Sequence, residues 1–283
     1  MTDLTGRTCL VTGATSGHGR AVAQGLARLG ANVVLHGRSE ERLFETRAEI
    51  ETLTGRLPEI LIADLASRKD VDLMADTFLS WDRPLHVLVN NAGLVCRKRQ
   101  ETADGIEMTF GVNYLAHFQL TRRLLDRMAE SGRARIINVS SDTHRTVTLD
   151  LDDLELRSGY GVMRAYGLSK LCIVHFTLEL ARRLEGSLVT ANACDPGPVT
   201  SNIGQNNPGI ARSILKVVMK LTFPSAEKAA RTALHLASSP DLENVSGRYF
   251  KSCKERTPRV SKDPAVSRRL WDISLGMLGE AGG

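Results

Sequence analysis

VTGATSGHGR, residues 11–20, places Gly13, Gly17 and Gly19 directly after the apolar run TCLVT at 8–12. The segment that follows, GRAVAQGLARLG, carries Val22, Leu26 and Leu29 at helical spacing and stops at Gly30. A glycine-rich turn between a strand and a helix lets backbone N–H groups approach a pyrophosphate, which then lies at the positive end of the helix. Three glycines alone say little. Here the strand, the turn, the helix and the next strand all fall where a dinucleotide-binding fold needs them.

Moving outward, short apolar runs alternate with helical segments along the whole chain. The runs are TCLVT (8–12), NVVLH (32–36), EILIA (59–63), HVLVN (86–90), RIINV (135–139) and LVTANA (188–193), with a last short one at RYF (248–250). Each is continuous rather than alternating, as in a parallel sheet covered on both faces. Repeated strand–helix units predict right-handed crossovers and ligands at the carboxyl ends of the strands. The expected architecture is α/β: residues 1–283 form a single doubly wound Rossmann domain, with about seven parallel strands and helices on both faces. No linker, repeat or low-complexity tract divides it.

Composition narrows the class. Across 283 residues, 42% hydrophobic and 24% charged content is that of an ordinary soluble protein, and no apolar run reaches membrane-spanning length. The start MTDLTGRTCLVTG has no signal-peptide pattern, so a cytoplasmic protein is expected. Cys9, Cys96, Cys172, Cys194 and Cys253 are scattered singly, without metal or dithiol spacing, and are read as reduced and structural. The net charge of +5 gathers at Arg97-Lys98-Arg99 and between Arg248 and Arg269. That pattern is read as a solvated face, and no nucleic-acid partner is expected.

The spacing T-G-x-x-x-G-x-G resembles that of the short-chain dehydrogenase/reductase family. Further landmarks occur in the family's order: Asp64-Leu65, Asn90-Asn91-Ala92-Gly93, Tyr166-Gly-Leu-Ser-Lys170 and Pro196-Gly197. FGVNYLAHFQLT, NVSSDTH, SGRYF and LWDISLGMLG bring it nearest to the retinol dehydrogenase branch. The resemblance implies an oxidoreductase acting on CH–OH or C=O groups, and a cofactor site of Gly13, Thr15, Ser16, Gly17, His18, Gly19, Asn91, Ala92, Gly93, Pro196, Gly197 and Val199. It also implies that Asp64 bonds the adenine amino group, with Leu65 against the ring. His18 stands where the family usually has isoleucine. It is read as a tolerated surface variation near the nicotinamide, the alternative being a bond to a cofactor phosphate or the substrate.

At the end of the second strand, NAD-binding folds place an acid that bonds the ribose 2′-hydroxyl. This chain has His36-Gly37-Arg38 instead, and a guanidinium there suits a 2′-phosphate, so NADP(H) is the expected cofactor. Tyr166 and Lys170 lie one helical turn apart, and Ser140-Ser141 end the fifth strand. A phenol ionises near pH ~10, and a neighbouring ammonium is expected to favour the phenolate. By resemblance, Tyr166 exchanges a proton with the substrate oxygen, Ser141 holds that oxygen, and Lys170 also holds the nicotinamide ribose. Asn113 would organise a water-linked relay through Lys170.

The expected substrate is a small lipophilic carbonyl or alcohol compound. A competing reading is a non-catalytic NADP-binding sensor or scaffold, which the intact Ser141–Tyr166–Lys170 set argues against. Asp195, before Pro196, departs from the histidine frequent in the retinol dehydrogenase branch and is expected to alter the pocket floor. A homodimer through the Tyr166 helix would use Leu171, Val174 and Leu178, which otherwise are core. Finally, Arg212, Lys216 and Lys220 line one row of GIARSILKVVMKLTF, opposite Ile214, Leu215, Val218, Met219 and Leu221. Residues 201–224 are read as a substrate-covering lid. The alternatives are an interfacial helix in weak contact with a membrane surface, and a plain surface helix.

Overall fold

The computed structural model describes residues 2–197 and 225–280. The lid expected at 201–224, and Val199, lie outside the described residues. Eight strands form one sheet: β1 (Thr8–Val11), β2 (Asn32–Gly37), β3 (Glu59–Ile62), β4 (Val87–Asn90), β5 (Ala134–Val139), β6 (Val189–Asp195), β7 (Tyr249–Lys251) and β8 (Lys254–Arg256). Their order is β3-β2-β1-β4-β5-β6-β7-β8. The chain winds one way from β1 to β3 and the other way from β4, so the reversal lies between β1 and β4. There the carboxyl ends open a crevice for a ligand. Pairing is parallel from β3 to β7. The sheet has one strand more than the sequence reading expects. β8 is antiparallel, exposed along its length, and folded back on β7 through Ser252 and Cys253, both at positive φ.

Among the described residues the helices are α1 (Gly17–Arg28), α2 (Glu40–Thr54), α3 (Arg68–Ser80), α4 (Met108–Phe110), α5 (Ala116–Glu130), α6 (Val162–Arg183), α7 (Ala226–Ser238) and α8 (Pro264–Met277). A π-helical turn, Gly111–Leu115, joins α4 to α5, and 3-10 turns occupy Asp142–Thr146 and Pro240–Leu242. Alternate strand residues feed two cores. Leu10, Val34, Leu88 and Ile136 face the layer holding Phe118 and Phe176, whereas Val11, Leu35, Val89 and Ile137 face the layer of Val22, Leu26 and Ala233. Both faces of the sheet are thus buried, which is why its strands are continuous apolar runs.

Capping separates α1 from most of its neighbours. Ser39, Ser67, Ser225 and Asp263 cap α2, α3, α7 and α8 through their side chains. Ser16 makes no such bond at α1, and the first turn of α1 holds no acid. Its leading N–H groups remain available to an anion. α6, preceded by Gly161, also has no side-chain cap.

The face of α6 raised as a pairing surface is interior here. Leu171 and Val174 are buried, and Leu178 packs partly buried beside Tyr249. α8 lies along the same helix. Its Trp271 packs edge-on to Phe118 at 4.8 Å between ring centres and tilts against Phe176 at 6.0 Å, under the Arg183 guanidinium.

Candidate active site

At the cradle, two glycines are required by space. Gly13 has φ +65°, and an added Cβ would lie 2.9 Å from Ala92 Cα; at Gly19 it would lie 2.3 Å from both Gly13 O and Asn91 Nδ2. The turn is therefore packed against the loop after β4, with Thr12 as the fastener. Thr12 Oγ accepts from the backbone N–H groups of Asn91 at 2.8 Å and Ala92 at 3.0 Å. The Asn91 amide donates to Thr12 O at 2.7 Å.

With its acceptor sites filled, the Thr12 hydroxyl points its proton at His117 Nε2, 2.9 Å away, since the alternative acceptor Val89 O is at 3.3 Å. The other ring nitrogen, Nδ1, meets Asn113 O at 3.0 Å, and a carbonyl can only accept. This fixes the neutral Nδ1–H tautomer, and burial pushes the His117 pKa down to about 3. A chain of bonds thus runs from the cradle through Thr12 and His117 to the π-helical turn that carries Asn113. Neither residue is among those the family resemblance assigns to the site. The signals were Thr12 directly before Gly13 and His117 one helical turn after Asn113.

His18 corrects an expectation. It is buried, not a surface variation, because the first turn of α1 leans over the β4 loop and its Nδ1 donates to Asn91 Oδ1 at 2.8 Å. Desolvation lowers its pKa, which keeps the ring neutral. His36, at the end of β2, is likewise interior. Its Nδ1 accepts from Gly13 N–H at 3.4 Å, Nε2 meets Ala63 O at 3.2 Å, and burial takes its pKa down to about 4. Next to it, Arg38 projects outward, 65% exposed and 3.8 Å from Asp64. The Asp64 carboxylate also accepts from Ala66 N–H at 3.1 Å, and Leu65 is packed into the core. Thr15 lies below Gly37, where an added Cβ would be 2.6 Å from its Cγ2.

The two serines at the end of β5 divide their work. Ser140 is buried and donates to Lys170 O at 2.9 Å, tying the strand to α6. Ser141 begins the 3-10 turn, half-buried, with Tyr166 beside it on α6. Lys170 is buried one turn below Tyr166; its Nζ donates to Val139 O at 2.9 Å and lies 5.5 Å from the centre of the phenol ring. Burial brings its pKa down to about 8. Asn113 donates to Leu94 O at 3.0 Å and to Ser169 Oγ at 3.1 Å, while its Oδ1 accepts from Leu94 N–H at 2.8 Å. A Cβ on Gly93 would be 3.3 Å from Asn113 Oδ1 and 3.7 Å from Lys170 Nζ. The β4 loop, the π turn and α6 therefore meet at one point.

The phenol of Tyr166 differs from the sequence reading. Lys170 is held against Val139 O, and the phenol pKa goes up to about 12, through burial first and the Asp195 charge second. A hydrogen bond from Ser141 opposes that rise. Asp195 is itself buried and accepts from Gly197 N–H at 2.7 Å, next to Pro196.

Residues 7–209 match a protein-family model described as short chain dehydrogenase. Retinol dehydrogenase 14 of Mus musculus is 41% identical over 97% of this chain and 86% of its own length. Polyprenol dehydrogenase of Mus musculus is 40% identical over 98% of this chain and 85% of its own. Among solved structures, a candidate NAD(P)-dependent gluconate 5-dehydrogenase of Beutenbergia cavernae, with NADP bound at low occupancy, superposes with a TM-score of 0.69 at 29% identity. The match covers 88% of this chain and 96% of that one.

Proposed function

The chain belongs to the short-chain dehydrogenase/reductase family, in its retinol dehydrogenase-like branch, and is an oxidoreductase of alcohol and carbonyl groups; we propose that it uses NADP(H), acts on a small lipophilic substrate, and exchanges the substrate proton through Tyr166. The reading is carried by one juxtaposition: Ser141, Tyr166 and Lys170 gather at the end of β5 beside a turn where Gly13 and Gly19 leave no room for a Cβ. That cradle, at an uncapped helix start, fits a dinucleotide pyrophosphate. A dinucleotide held there would supply the redox half of the reaction, a hydride exchanged with the carbon bearing the substrate oxygen.

The protein's part is the proton and the oxygen. Tyr166 holds its proton at Oη, and the raised pKa keeps the phenol protonated at neutral pH, as carbonyl reduction requires. Ser141 Oγ holds the substrate oxygen in line with that proton. Lys170 remains largely cationic near neutrality and stands one turn below the phenol, held by its bond to Val139 O. Asn113, locked between Leu94 and Ser169, supports the Lys170 side of the site. Arg38 supports NADP over NAD: exposed at the end of β2, it offers a fork of donors to a 2′-phosphate.

The retinol and polyprenol named for two relatives support a lipophilic alcohol as substrate class. Among the described residues no helix is long and apolar enough to cross a membrane, and all five cysteines are free. Cytoplasmic location remains part of the proposal. The test is a panel of aldehydes, ketones and their alcohols, including retinal and retinol, with each nicotinamide cofactor, followed at the nicotinamide absorbance. Turnover with NADPH or NADP is expected. Silence across the panel alongside tight NADP binding would replace this reading with that of a sensor.

A further inference from the structure

The carboxyl end of β6 carries a charged group that proton exchange does not itself use. Asp195 is 3% exposed. Its Oδ1 is taken by Gly197 N–H, and its Oδ2 accepts from the backbone N–H of Asp142 at 3.2 Å. Lys251, which ends β7, lies 3.3 Å from the same oxygen and also bonds the Asp142 carboxylate. Asp142 is the residue after Ser141. Its Oδ1 accepts from Tyr249 Oη at 3.1 Å and Arg145 Nε at 3.2 Å. The Ser141 carbonyl is held on the same side by His144, whose Nδ1 donates at 2.7 Å and whose Nε2 accepts from Arg259 N–H at 3.2 Å. A carboxylate this buried is tolerated only when paired and fully bonded, and its bonds lead to the turn that begins with Ser141.

We propose that Asp195, with Lys251 as its counter-ion, is a positioning residue of the reaction that clamps the Ser141 turn and sets the charge felt by the Tyr166 phenol. The proposal rests on Tyr166 as the proton donor. Among the described residues, four elements present charged or titratable groups to Asp195: β7 brings Lys251 and Tyr249, the 3-10 turn Asp142 and His144, α6 Tyr166 and Lys170, and α1 His18; α6 lies against that turn beside Tyr166, where a Cβ on Gly167 would be 3.0 Å from Thr143 O. Burial lowers the pKa of both histidines, so they add no full charge near neutrality. Lys170 is bonded to Val139 O, which leaves Lys251, among the described residues, as the cation that directly offsets Asp195. The two members of the pair must then act on Tyr166 in opposite senses. Without the carboxylate, the phenolate forms more readily; without the ammonium, the bare carboxylate opposes it.

The test reads Tyr166 in the NADP-bound protein without substrate, by NMR of tyrosine labelled at Cζ, with the resonance identified by its loss in Tyr166→Phe. Asp195→Asn keeps the shape and should lower the ionisation midpoint by about one pH unit. Lys251→Met should raise it, and Lys251→Arg should restore it. Shifts of one sign, or none in either variant, overturn the proposal, because a merely structural clamp would lower the melting temperature without separating the two by sign. Lys251 is partly exposed, so its replacement decides the matter even where Asp195→Asn does not fold. Turnover of Tyr166→Phe is measured separately. If it persists, the assignment of Tyr166 fails; if it is lost while the resonance stays unmoved, only the role of Asp195 fails.

Discussion

Arg38 and Gly37 show what a single position can and cannot do in this site. Arg38→Ser removes the cation facing the proposed 2′-phosphate, a charge-assisted contact of roughly 1.5–3 kcal/mol, so NADP affinity should fall by about one to two decades while NAD affinity stays level. Titration of both cofactors checks this, and equal losses would place Arg38 outside the cofactor site. The sequence alone suggests Gly37→Asp as the partner change that would admit NAD. The structure refuses it as a single change, because the new Cβ would lie 2.6 Å from Thr15 Cγ2. Gly37→Asp with Thr15→Ser removes that methyl, so the pair should improve NAD binding where Gly37→Asp alone does not. At the reacting centre, Tyr166→Phe should keep fold and NADP binding yet lose turnover by at least about two decades, the usual scale of a general acid. Lys170→Met should lose both turnover and cofactor affinity, since the ammonium that stands under Tyr166 is also the group expected to hold the nicotinamide ribose. Steady-state kinetics beside a binding titration separate the two outcomes. Gly13, Asn91, Ser141, Tyr166 and Lys170 were legible because their spacing is local and their types are few. Thr12 and His117 were not, since their meaning lies in a bond spanning 105 positions of chain.

Whole elements were legible where their periodicity is strong. The seven parallel strands appear within a residue or two of the apolar runs, because a strand buried on both faces must be apolar throughout. β8 escaped: Lys254, Glu255 and Arg256 have no apolar pattern, and only the bend at Ser252 and Cys253 turns them back onto β7. The π turn at Gly111–Leu115 also leaves no mark in hydrophobic spacing, yet it aims Asn113 at Leu94 and Ser169. On α6, the choice between contact and core turns on the late part of the chain, because Val174 and Leu178 pack with Tyr249 of β7 and with Val260. α8 settles against that helix, and its Trp271 shields Phe118 and Phe176. Trp271→Ala should therefore cost about 3–5 kcal/mol, a fall in melting temperature on the order of 10 °C, and leave NADP affinity near its wild-type value. The bared aromatic face should also promote association, read by sedimentation. An unchanged melting temperature would mean that α8 contributes little to holding the α5–α6 layer.

For the molecule as a whole, part of the basic tail is tied to the body: Arg259 donates to Arg145 O and Arg269 bonds Asp152. The response to acid comes from the interior instead. His36, His117 and His175 are buried, with pKa values brought down to about 4, 3 and 4 by desolvation. Unfolded, each would take up a proton near pH ~6.5. Below that value the unfolded chain binds more protons than the folded one, so stability is fully present above about pH 6.5 and is lost progressively as pH falls towards the folded values. Each histidine adds up to about 1.4 kcal/mol per pH unit to that slope. Three acting together should make the melting temperature fall steeply between about pH 6.5 and 4. His175 allows a clean test, because its Nδ1 meets Ser267 Oγ at 2.8 Å where α6 packs on α8, away from the cradle. His175→Gln removes one titrating group from the interior. It should shift the curve at neutral pH by whatever the lost contact is worth and flatten its acid limb by about one proton's share. A parallel displacement with the slope intact would show that His175 takes up its proton in the folded protein as readily as in the unfolded one.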